Sequence, residues 1–217
     1  FDLDHTLLPI DSDYSWGDFS LKIGWVDPAS FKAKNDQFFA DYQAGNLNIH
    51  DYVKFATEAV RLKGPALAAQ AHLQFMQEVI LPCIQPSALN LIKHHHDAGD
   101  HVMIVTATNE FVTRPIAHAF GVQELIAVEL ARDSRGWITG EIRGTPSFRE
   151  GKVTRVAHWL DQKGLDWADV EMTFYSDSMN DLPLLEKAHH PVATNPDARL
   201  RQLATERGWR ILDLFQE

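Results

Sequence analysis

Polar side chains follow apolar runs at four places in the sequence, and together they supply four carboxylates, one hydroxyl and one ammonium. They are Asp2 and Asp4, Thr106, Lys152, and Asp177 with Asp181. Carboxylates within ~4 Å of one another repel by about 4 kcal/mol per pair at an effective dielectric constant near 20. This set therefore needs a cation or raised pKa values. Mg²⁺ is the natural cation, because it prefers oxygen ligands and is commonly shared between one or two carboxylates and a substrate phosphate.

The same residue types can perform phosphoryl transfer. Thr106 and Lys152 could hold phosphate oxygens, with the ammonium neutralising charge on the transferring group. One of the two carboxylates near the N-terminus would attack phosphorus and form an aspartyl-phosphate. The other would protonate the leaving alkoxide and later activate water.

The elements that must position these residues alternate between short strands and longer helices. We predict strands at residues 101–106, 124–130, 172–175, 191–194 and 210–214. We predict helices at residues 89–96, 110–120, 150–163 and 197–207, because Pro and Gly mark helix starts and stops there. This alternation is typical of a doubly wound α/β fold, in which helices cover both faces of a mostly parallel sheet. Such sheets bind ligands at the carboxyl ends of their strands.

Residues 12–81 interrupt the alternation, because their patterns are helical and hold no convincing strand. Two apolar stripes at helical spacing, in residues 31–42 and 49–60, predict faces that pack in the core. We therefore divide the chain into a core of residues 1–11 and 82–217 and a helical insertion of residues 12–81. Apolar alternation around Gly136 predicts a small hairpin.

Composition excludes several classes of protein. Lys and Arg total 20 against 30 Asp and Glu, a net charge of −10 without any basic run, which disfavours a nucleic-acid partner. No stretch approaches ~20 apolar residues and no secretory signal opens the chain, so we expect a cytoplasmic protein without a membrane partner. The single cysteine, Cys83, suits a reducing compartment. The chain begins at Phe1 in what resembles the end of a strand, so we expect the natural chain to extend upstream.

The order of these motifs resembles that of the haloacid dehalogenase-like hydrolase superfamily. The residues that carry the resemblance are the stretch from Asp2 to Thr6, then Thr106, Lys152, and Asp177 with Asp181. The resemblance implies a Rossmann-like core with the helical segment as a small cap domain inserted after the first strand. It also implies a phosphatase rather than a dehalogenase, because dehalogenase members lack the acid at the position of Asp4.

The resemblance also implies a role for each residue. Asp2 would be the nucleophile and Asp4 the general acid and base. The expected phosphate contacts are Leu3, Thr106, Ala107 and Lys152. The expected Mg²⁺ ligands are Asp2, the carbonyl of Asp4, and Asp177, with Asp181 in support.

The helical segment is similar to the cap of the phosphoserine-phosphatase-like branch (subfamily IB), with two departures. Asp11 stands where phosphoserine phosphatases carry a Glu. No Arg occurs between Asn48 and Val60, where that branch has an Arg that pairs with the substrate carboxylate. These departures argue against phosphoserine itself as the substrate.

Acidic and aromatic residues follow the proposed nucleophile closely, and we predict that they contact the substrate. Asp11 or Asp13 would meet a cationic group, while aromatic side chains including Trp16 would pack against the substrate body. A small phosphorylated metabolite such as an amino-alcohol phosphate fits, and histidinol phosphate is the leading hypothesis. The alternatives are a phosphoserine phosphatase, a phosphotransferase on the same scaffold, and a non-catalytic phospho-acceptor or phosphate-binding module.

Overall fold

The computed structural model describes residues 1–215 and shows a mixed α/β fold. Its strands are β1 (Met103–Asn109), β2 (Glu124–Val128), β3 (Leu130–Arg132), β4 (Ile138–Ile142), β5 (Thr173–Ser176), β6 (His190–Thr194) and β7 (Arg210–Leu212). Its helices before β1 are α1 (Ser12–Lys22), α2 (Pro28–Ala44), α3 (Ile49–Ala56), α4 (Glu58–Lys63), α5 (Pro65–Phe75), α6 (Leu81–Cys83) and α7 (Pro86–Ala98). Those after β1 are α8 (Glu110–Ala119), α9 (Glu150–Gln162), α10 (Leu182–Leu185) and α11 (Ala198–Arg207). No helix in the described residues is long and apolar enough to cross a membrane.

The first residues of the chain join two groups of parallel strands into one sheet. β1 pairs with β2, and β5 pairs with β6, which pairs with β7. The N-terminal amino group of Phe1 donates to the carbonyl of Met103 at 2.9 Å, and the carbonyl of Phe1 accepts from the amide of Val105 at 2.8 Å. On the other side, the amide of Asp2 donates to the carbonyl of Tyr175 at 2.9 Å. The order across the sheet is therefore β2, β1, the N-terminal stretch, β5, β6 and β7.

Two apolar clusters cover opposite faces of this sheet. Ile104 and Tyr175 belong to one cluster, and their strand neighbours Val105 and Phe174 belong to the other, as the alternation of side chains along a strand requires. Buried residues of α7 and α8 complete the first cluster, and those of α9, α10 and α11 complete the second. The prediction of a doubly wound, mostly parallel sheet is confirmed.

The helical segment, residues 12–81, lies in sequence between the N-terminal stretch and β1. All of these residues are described, and they hold helices and turns without a strand. Asp11 caps α1 by accepting from the amide of Tyr14, and Asn48 caps α3 by accepting from the two amides at positions 50 and 51. α5 continues through a π-helical turn, Met76–Ile80, into α6. The division of the chain into two domains at these boundaries stays a prediction.

The hairpin predicted around Gly136 is present as the antiparallel pair β3 and β4. Gly136 adopts a φ of 80° in its turn, a conformation that favours glycine. The hairpin contacts the helical segment, because the indole nitrogen of Trp137 donates to the carbonyl of Arg61 at 3.4 Å. An exposed ion pair of 3.1 Å between Lys54 and Glu141 adds to this contact.

Candidate active site

A tight turn after the N-terminal stretch presents Asp2 and Asp4 at the carboxyl edge of the sheet. The carbonyl of Leu3 accepts hydrogen bonds from the amides of residues 6, 7 and 8, at 2.8 to 3.3 Å. His5 takes a φ of 57° within this turn, a left-handed conformation that is uncommon for residues other than glycine. The backbone thus reverses directly after the strand, as expected for a ligand-binding strand end.

Lys152 lies at the centre of a buried charge cluster. Its Nζ is 2.7 Å from Oδ1 of Asp2 and 2.7 Å from Oδ2 of Asp181, and its side chain is 1 % exposed. Ser176 also donates to Oδ2 of Asp181, at 2.8 Å. Burial lowers the pKa of Lys152, but the carboxylates of Asp181 and Asp2 more than offset this and raise it above the ordinary value. The ammonium therefore stays charged next to Asp2.

The hydroxyl of Thr6 brings the carboxylates of Asp2 and Asp177 together. Its Oγ1 is 3.4 Å from Oδ2 of Asp2 and 3.1 Å from Oδ1 of Asp177. Burial, together with the charges of Asp2 and Asp181, raises the pKa of Asp177 well above its usual range. The carboxylates of Asp2 and Asp177 therefore lie close together, with too little positive charge nearby to offset their repulsion.

The oxygen atoms at this edge fit Mg²⁺. No three Asp, Glu, His or Cys side chains converge as a complete metal site in the part of the chain that the structure describes. Mg²⁺ does not need three, because it is usually held by one or two carboxylates, several waters and a substrate phosphate. Asp2 and Asp177 supply two carboxylates beside the backbone of Asp4. Asp181 is also buried at this edge, with its Oδ2 paired with Lys152, and its supporting role at the metal stays a prediction.

The carboxyl group of Asp4 is held in one orientation by two donors. Its Oδ1 accepts from the amide of Ser12 at 2.8 Å, and its Oδ2 accepts from the hydroxyl of Thr108 at 2.9 Å. Burial and the nearby charge of Asp11 raise the pKa of Asp4 to about 7. A carboxyl group with such a pKa can give and take a proton near neutral pH. Sequence reasoning missed Thr108, although a second hydroxyl at the end of β1 was a signal that could have found it.

A cavity opens between this edge of the sheet and the helical segment. Its carboxylates are Asp2, Asp4, Asp11, Asp13 and Asp177. Its aromatic wall consists of Tyr14, Phe38, Phe39, Tyr42 and Tyr52. Among the described residues that line it there is no Lys or Arg, and the one imidazole is that of His5. The cavity therefore combines carboxyl groups with aromatic surface.

Two of the predicted phosphate contacts, Thr106 and Ala107, line this cavity at the end of β1. Oγ1 of Thr106 accepts from the amide of Thr108 at 3.1 Å, and its carbonyl accepts from the hydroxyl of Ser147 at 2.6 Å. Ser147 is fully buried and was missed by sequence reasoning, since its loop carries no strand or helix pattern. The side chain of Leu3 is buried and does not line the cavity, so only its backbone could meet a phosphate.

Asp11 and Asp13 both line the cavity, as a substrate-binding role requires. Asp11 also caps α1, and burial raises its pKa. Asp13 is 5 % exposed, and its Oδ1 accepts from Nδ2 of Asn109 at 3.2 Å. Burial and the charge of Asp11 raise the pKa of Asp13 to about 8. Contact of either residue with a substrate stays a prediction.

The structure does not bring Trp16 to the cavity, which corrects its predicted role in substrate contact. Trp16 is 2 % exposed and packs edge-on against Phe75 and Phe111, while stacking on His72. These partners lie on α5 and α8, so Trp16 joins the helical segment to the helix that follows β1.

The aromatic stripe of α2 also requires a correction, because Phe38, Phe39 and Tyr42 line the cavity and are not simply core residues. Helical periodicity shows which residues share a face but not what that face covers. Asn35 lies on the same face, at the spacing i, i+3, i+4 and i+7 with the three aromatic residues, and it also lines the cavity. Sequence reasoning missed it, although a single amide on an aromatic face was a usable signal.

Residues 1–186 match the model of the family described as haloacid dehalogenase-like hydrolase. The chain belongs to this family. A histidinol-phosphatase of Neisseria meningitidis serogroup C is 42 % identical to this haloacid dehalogenase-like hydrolase, over 98 % of this chain and 96 % of that protein. A phosphoserine phosphatase of Mycobacterium tuberculosis is 36 % identical over 64 % of this chain and 44 % of its own length. The predicted resemblance is confirmed, and the chain is a phosphatase of this hydrolase family.

Solved structures of related proteins share the fold of this hydrolase. A crystal structure of a protein of unknown function from Bordetella pertussis Tohama I superposes with a TM-score of 0.93 at 48 % identity, covering 99 % of this chain and 97 % of that one. A substrate-bound phosphoserine phosphatase superposes with a TM-score of 0.66 at 17 % identity, covering 98 % of this chain and 90 % of that one. At that identity the second likeness shows the fold alone.

Proposed function

We propose that this hydrolase is a Mg²⁺-dependent phosphomonoesterase that acts on a small phosphorylated metabolite through an aspartyl-phosphate on Asp2. Support comes from the position of Asp2 in the cavity, with one carboxylate oxygen paired to Lys152 and the other beside Thr6. In this proposal the oxygen that is not paired with Lys152 attacks phosphorus. The Lys152 ammonium offsets the negative charge that gathers as the phosphoryl group arrives.

Asp4 would handle both proton transfers. Its protonated carboxyl, held by Ser12 and Thr108, gives a proton to the leaving alkoxide. The resulting carboxylate then takes a proton from the water that attacks phosphorus, which releases phosphate and restores Asp2. Asp2 and Asp177 would hold Mg²⁺, which would supply positive charge against the repulsion between the phosphate and these carboxylates.

We also propose that the helical segment acts as a cap over this chemistry. The aromatic residues of α2 and α3 form the wall of the cavity opposite the carboxyl edge of the sheet. Nδ2 of Asn180 donates to the carbonyl of Tyr42 at 3.0 Å, and the guanidinium of Arg149 donates to the carbonyl of Gly45. These bonds join the last turn of α2 to loops of the core. Such a cover excludes water and selects the substrate.

The chemistry of the cavity favours an amino-alcohol phosphate, with histidinol phosphate as the leading candidate. The observation that carries this choice is the lining of five carboxylates and an aromatic wall without a Lys or Arg among the described residues. An amine or imidazolium would be attracted by this lining, whereas the carboxylate of phosphoserine would find no Lys or Arg partner. The name of the relative in Neisseria meningitidis, a histidinol-phosphatase, supports the same choice.

A substrate panel tests this proposal. Phosphate release is measured for histidinol phosphate, phosphoethanolamine, phosphoserine and glycerol phosphate, with the wild type and Asp11→Asn. We expect the wild type to give the highest kcat/KM with histidinol phosphate, and Asp11→Asn to reduce that preference. Equal turnover of amine-bearing and amine-free esters by both proteins would contradict the proposed substrate class. A single turnover followed by a long-lived acyl-phosphate would instead indicate a phospho-acceptor module.

A further inference from the structure

Asn35 is a buried amide on an otherwise aromatic face. It is 3 % exposed and is the one buried residue of α2. Its Nδ2 is buried and has no hydrogen-bond partner within the described residues. Buried polar groups in native proteins nearly always have a partner, so an unpartnered amide on the wall of a substrate cavity indicates a partner that arrives with the substrate.

The packing around Asn35 holds the amide in place. A Cβ added at Gly17 of α1 would lie 2.8 Å from Nδ2 of Asn35 and 3.2 Å from the ring of Phe31. Only glycine at this position lets α1 approach the Asn35 side chain so closely. The amide is therefore fixed before a ligand enters, which lowers the entropy cost of binding.

Asn35 lies at the end of the cavity that is distant from phosphorus. Tyr42, at the other end of the same helical face, is close enough to Asp2 and Asp181 for their charges to add to burial in raising its pKa. Seven residues of α-helix at 1.5 Å per residue place Asn35 roughly 10 Å from Tyr42 along the helix axis. This separation matches a substrate with its phosphate at one end and a second polar group at the other.

Asp13 supplies a second polar group on the wall of the same cavity. It precedes Gly17 by four residues on α1, so both residues share the helix face that meets Asn35. A carboxyl group and an amide that line one cavity can together bind a group that both donates and accepts hydrogen bonds. A neutral imidazole ring does both, whereas an aliphatic ammonium only donates.

We propose that Asn35 is a specificity-determining residue whose amide, together with the carboxyl of Asp13, binds a nitrogen heterocycle at the far end of the substrate. This inference rests on the proposed phosphomonoesterase function. It deepens that function by separating imidazole-bearing esters from esters with a simple amine.

The test compares Asn35→Leu, which keeps the side-chain shape but removes its polar atoms, with Gln37→Leu. Gln37 is exposed on the same helix, where its amide donates to Asp41 at 2.9 Å. The substrates are histidinol phosphate, phosphoethanolamine and p-nitrophenyl phosphate. We expect Asn35→Leu to lower kcat/KM for histidinol phosphate about fivefold more than for the other two esters, which corresponds to the loss of about one hydrogen bond. Gln37→Leu should leave all three values unchanged.

Thermal unfolding separates a binding role from a structural one. Because the amide has no partner in the protein, we expect Asn35→Leu to keep or raise Tm. An equal loss of kcat/KM for all three esters, or a lowered Tm without a change in selectivity, would overturn the inference. If the wild type itself prefers p-nitrophenyl phosphate, the proposed substrate class fails. In that case the ratio of kcat/KM for histidinol phosphate to kcat/KM for p-nitrophenyl phosphate still tests the role of Asn35. An equal ratio in Asn35→Leu and wild type would overturn the inference.

Discussion

The ammonium of Lys152 lies 2.7 Å from a carboxylate oxygen of Asp2, a residue 150 positions earlier in the chain. Lys152 is in the first turn of α9, and Asp2 ends the N-terminal stretch between β1 and β5. The contact therefore forms only when the sheet and its covering helices are assembled. Because Asp181 shares the same ammonium, a single buried positive charge links Asp181 to the proposed nucleophile Asp2.

Removal of that charge should destabilise the protein as well as inactivate it. Lys152→Met would leave two buried carboxylates unpaired, and breaking such a pair typically costs about 3–5 kcal/mol in the free energy of unfolding. Urea denaturation measures this loss. Lys163→Met is the matched control, because Lys163 is exposed in its pair with Glu124 and should change stability by no more than about 0.5 kcal/mol. Similar losses of unfolding free energy in both variants would contradict the stabilising role of Lys152 between the two buried carboxylates.

Mg²⁺ should stabilise the fold through Asp177. We expect the Tm of the wild type to rise with Mg²⁺ concentration, by an amount that corresponds to about 2.7 kcal/mol at 100 times the Kd. Asp177→Asn should remove most of this response. Asp161→Asn, an exposed change on α9, should retain it. An equal rise of Tm with Mg²⁺ in Asp177→Asn and wild type would argue against a metal site at Asp177. EDTA should also abolish turnover, and added Mg²⁺ should restore it.

The buried carboxyl of Asp13 should make stability depend on pH. Burial and Asp11 raise its pKa in the folded protein to about 8, against about 3.9 in an unfolded chain. Between these values the folded state retains a proton that the unfolded state releases, so stability falls as pH rises, with a maximal slope of about 1.4 kcal/mol per pH unit. Asp13→Asn removes this dependence and should gain stability relative to wild type from pH 5 to pH 8. Asp18→Asn, exposed on the same helix, provides the baseline, and parallel curves for all three proteins would refute the prediction.

Asn180 should influence substrate binding more than chemistry. Its amide holds the carbonyl of Tyr42, so Asn180→Ala releases one bond between the last turn of α2 and the core. Loss of one hydrogen bond of about 1 kcal/mol predicts a severalfold rise in KM, with a smaller change in kcat. Asn46→Ala alters an exposed amide just after α2 and should change neither constant. A fall in kcat at constant KM would contradict a role of this bond in holding the cap.

The sheet and the cluster at its edge were predictable from sequence because each depends on local signals. Apolar runs ended by Asp2, Thr106 and Asp177 fix the strand ends, and parallel strands must bring those ends to one edge. Lys152 was predictable because of its place in the order of the motifs. The phosphatase class followed from the family resemblance that these motifs carry and from the presence of Asp4.

The substrate end of the site was less predictable, because it depends on how helices turn their faces toward one another. Trp16 was predicted to contact the substrate and Phe38 to pack in the core, yet Trp16 packs in the core and Phe38 lines the cavity. The unpartnered amide of Asn35 cannot be recognised without knowing that α1 approaches it at Gly17. The ion pair of Asp181 with Lys152 was likewise not predicted from the sequence.

Asp2 is the residue on which the mechanism depends, and its covalent intermediate can be trapped. Enzyme quenched in acid during turnover of histidinol phosphate with Mg²⁺ is reduced with borohydride, which converts an aspartyl-phosphate to homoserine. Mass spectrometry of the N-terminal peptide then locates the change. We predict homoserine at position 2, only when substrate is present, and none in Asp2→Asn, whose turnover should fall by several orders of magnitude. Homoserine at position 4 or 11, or continued turnover of Asp2→Asn, would contradict the mechanism.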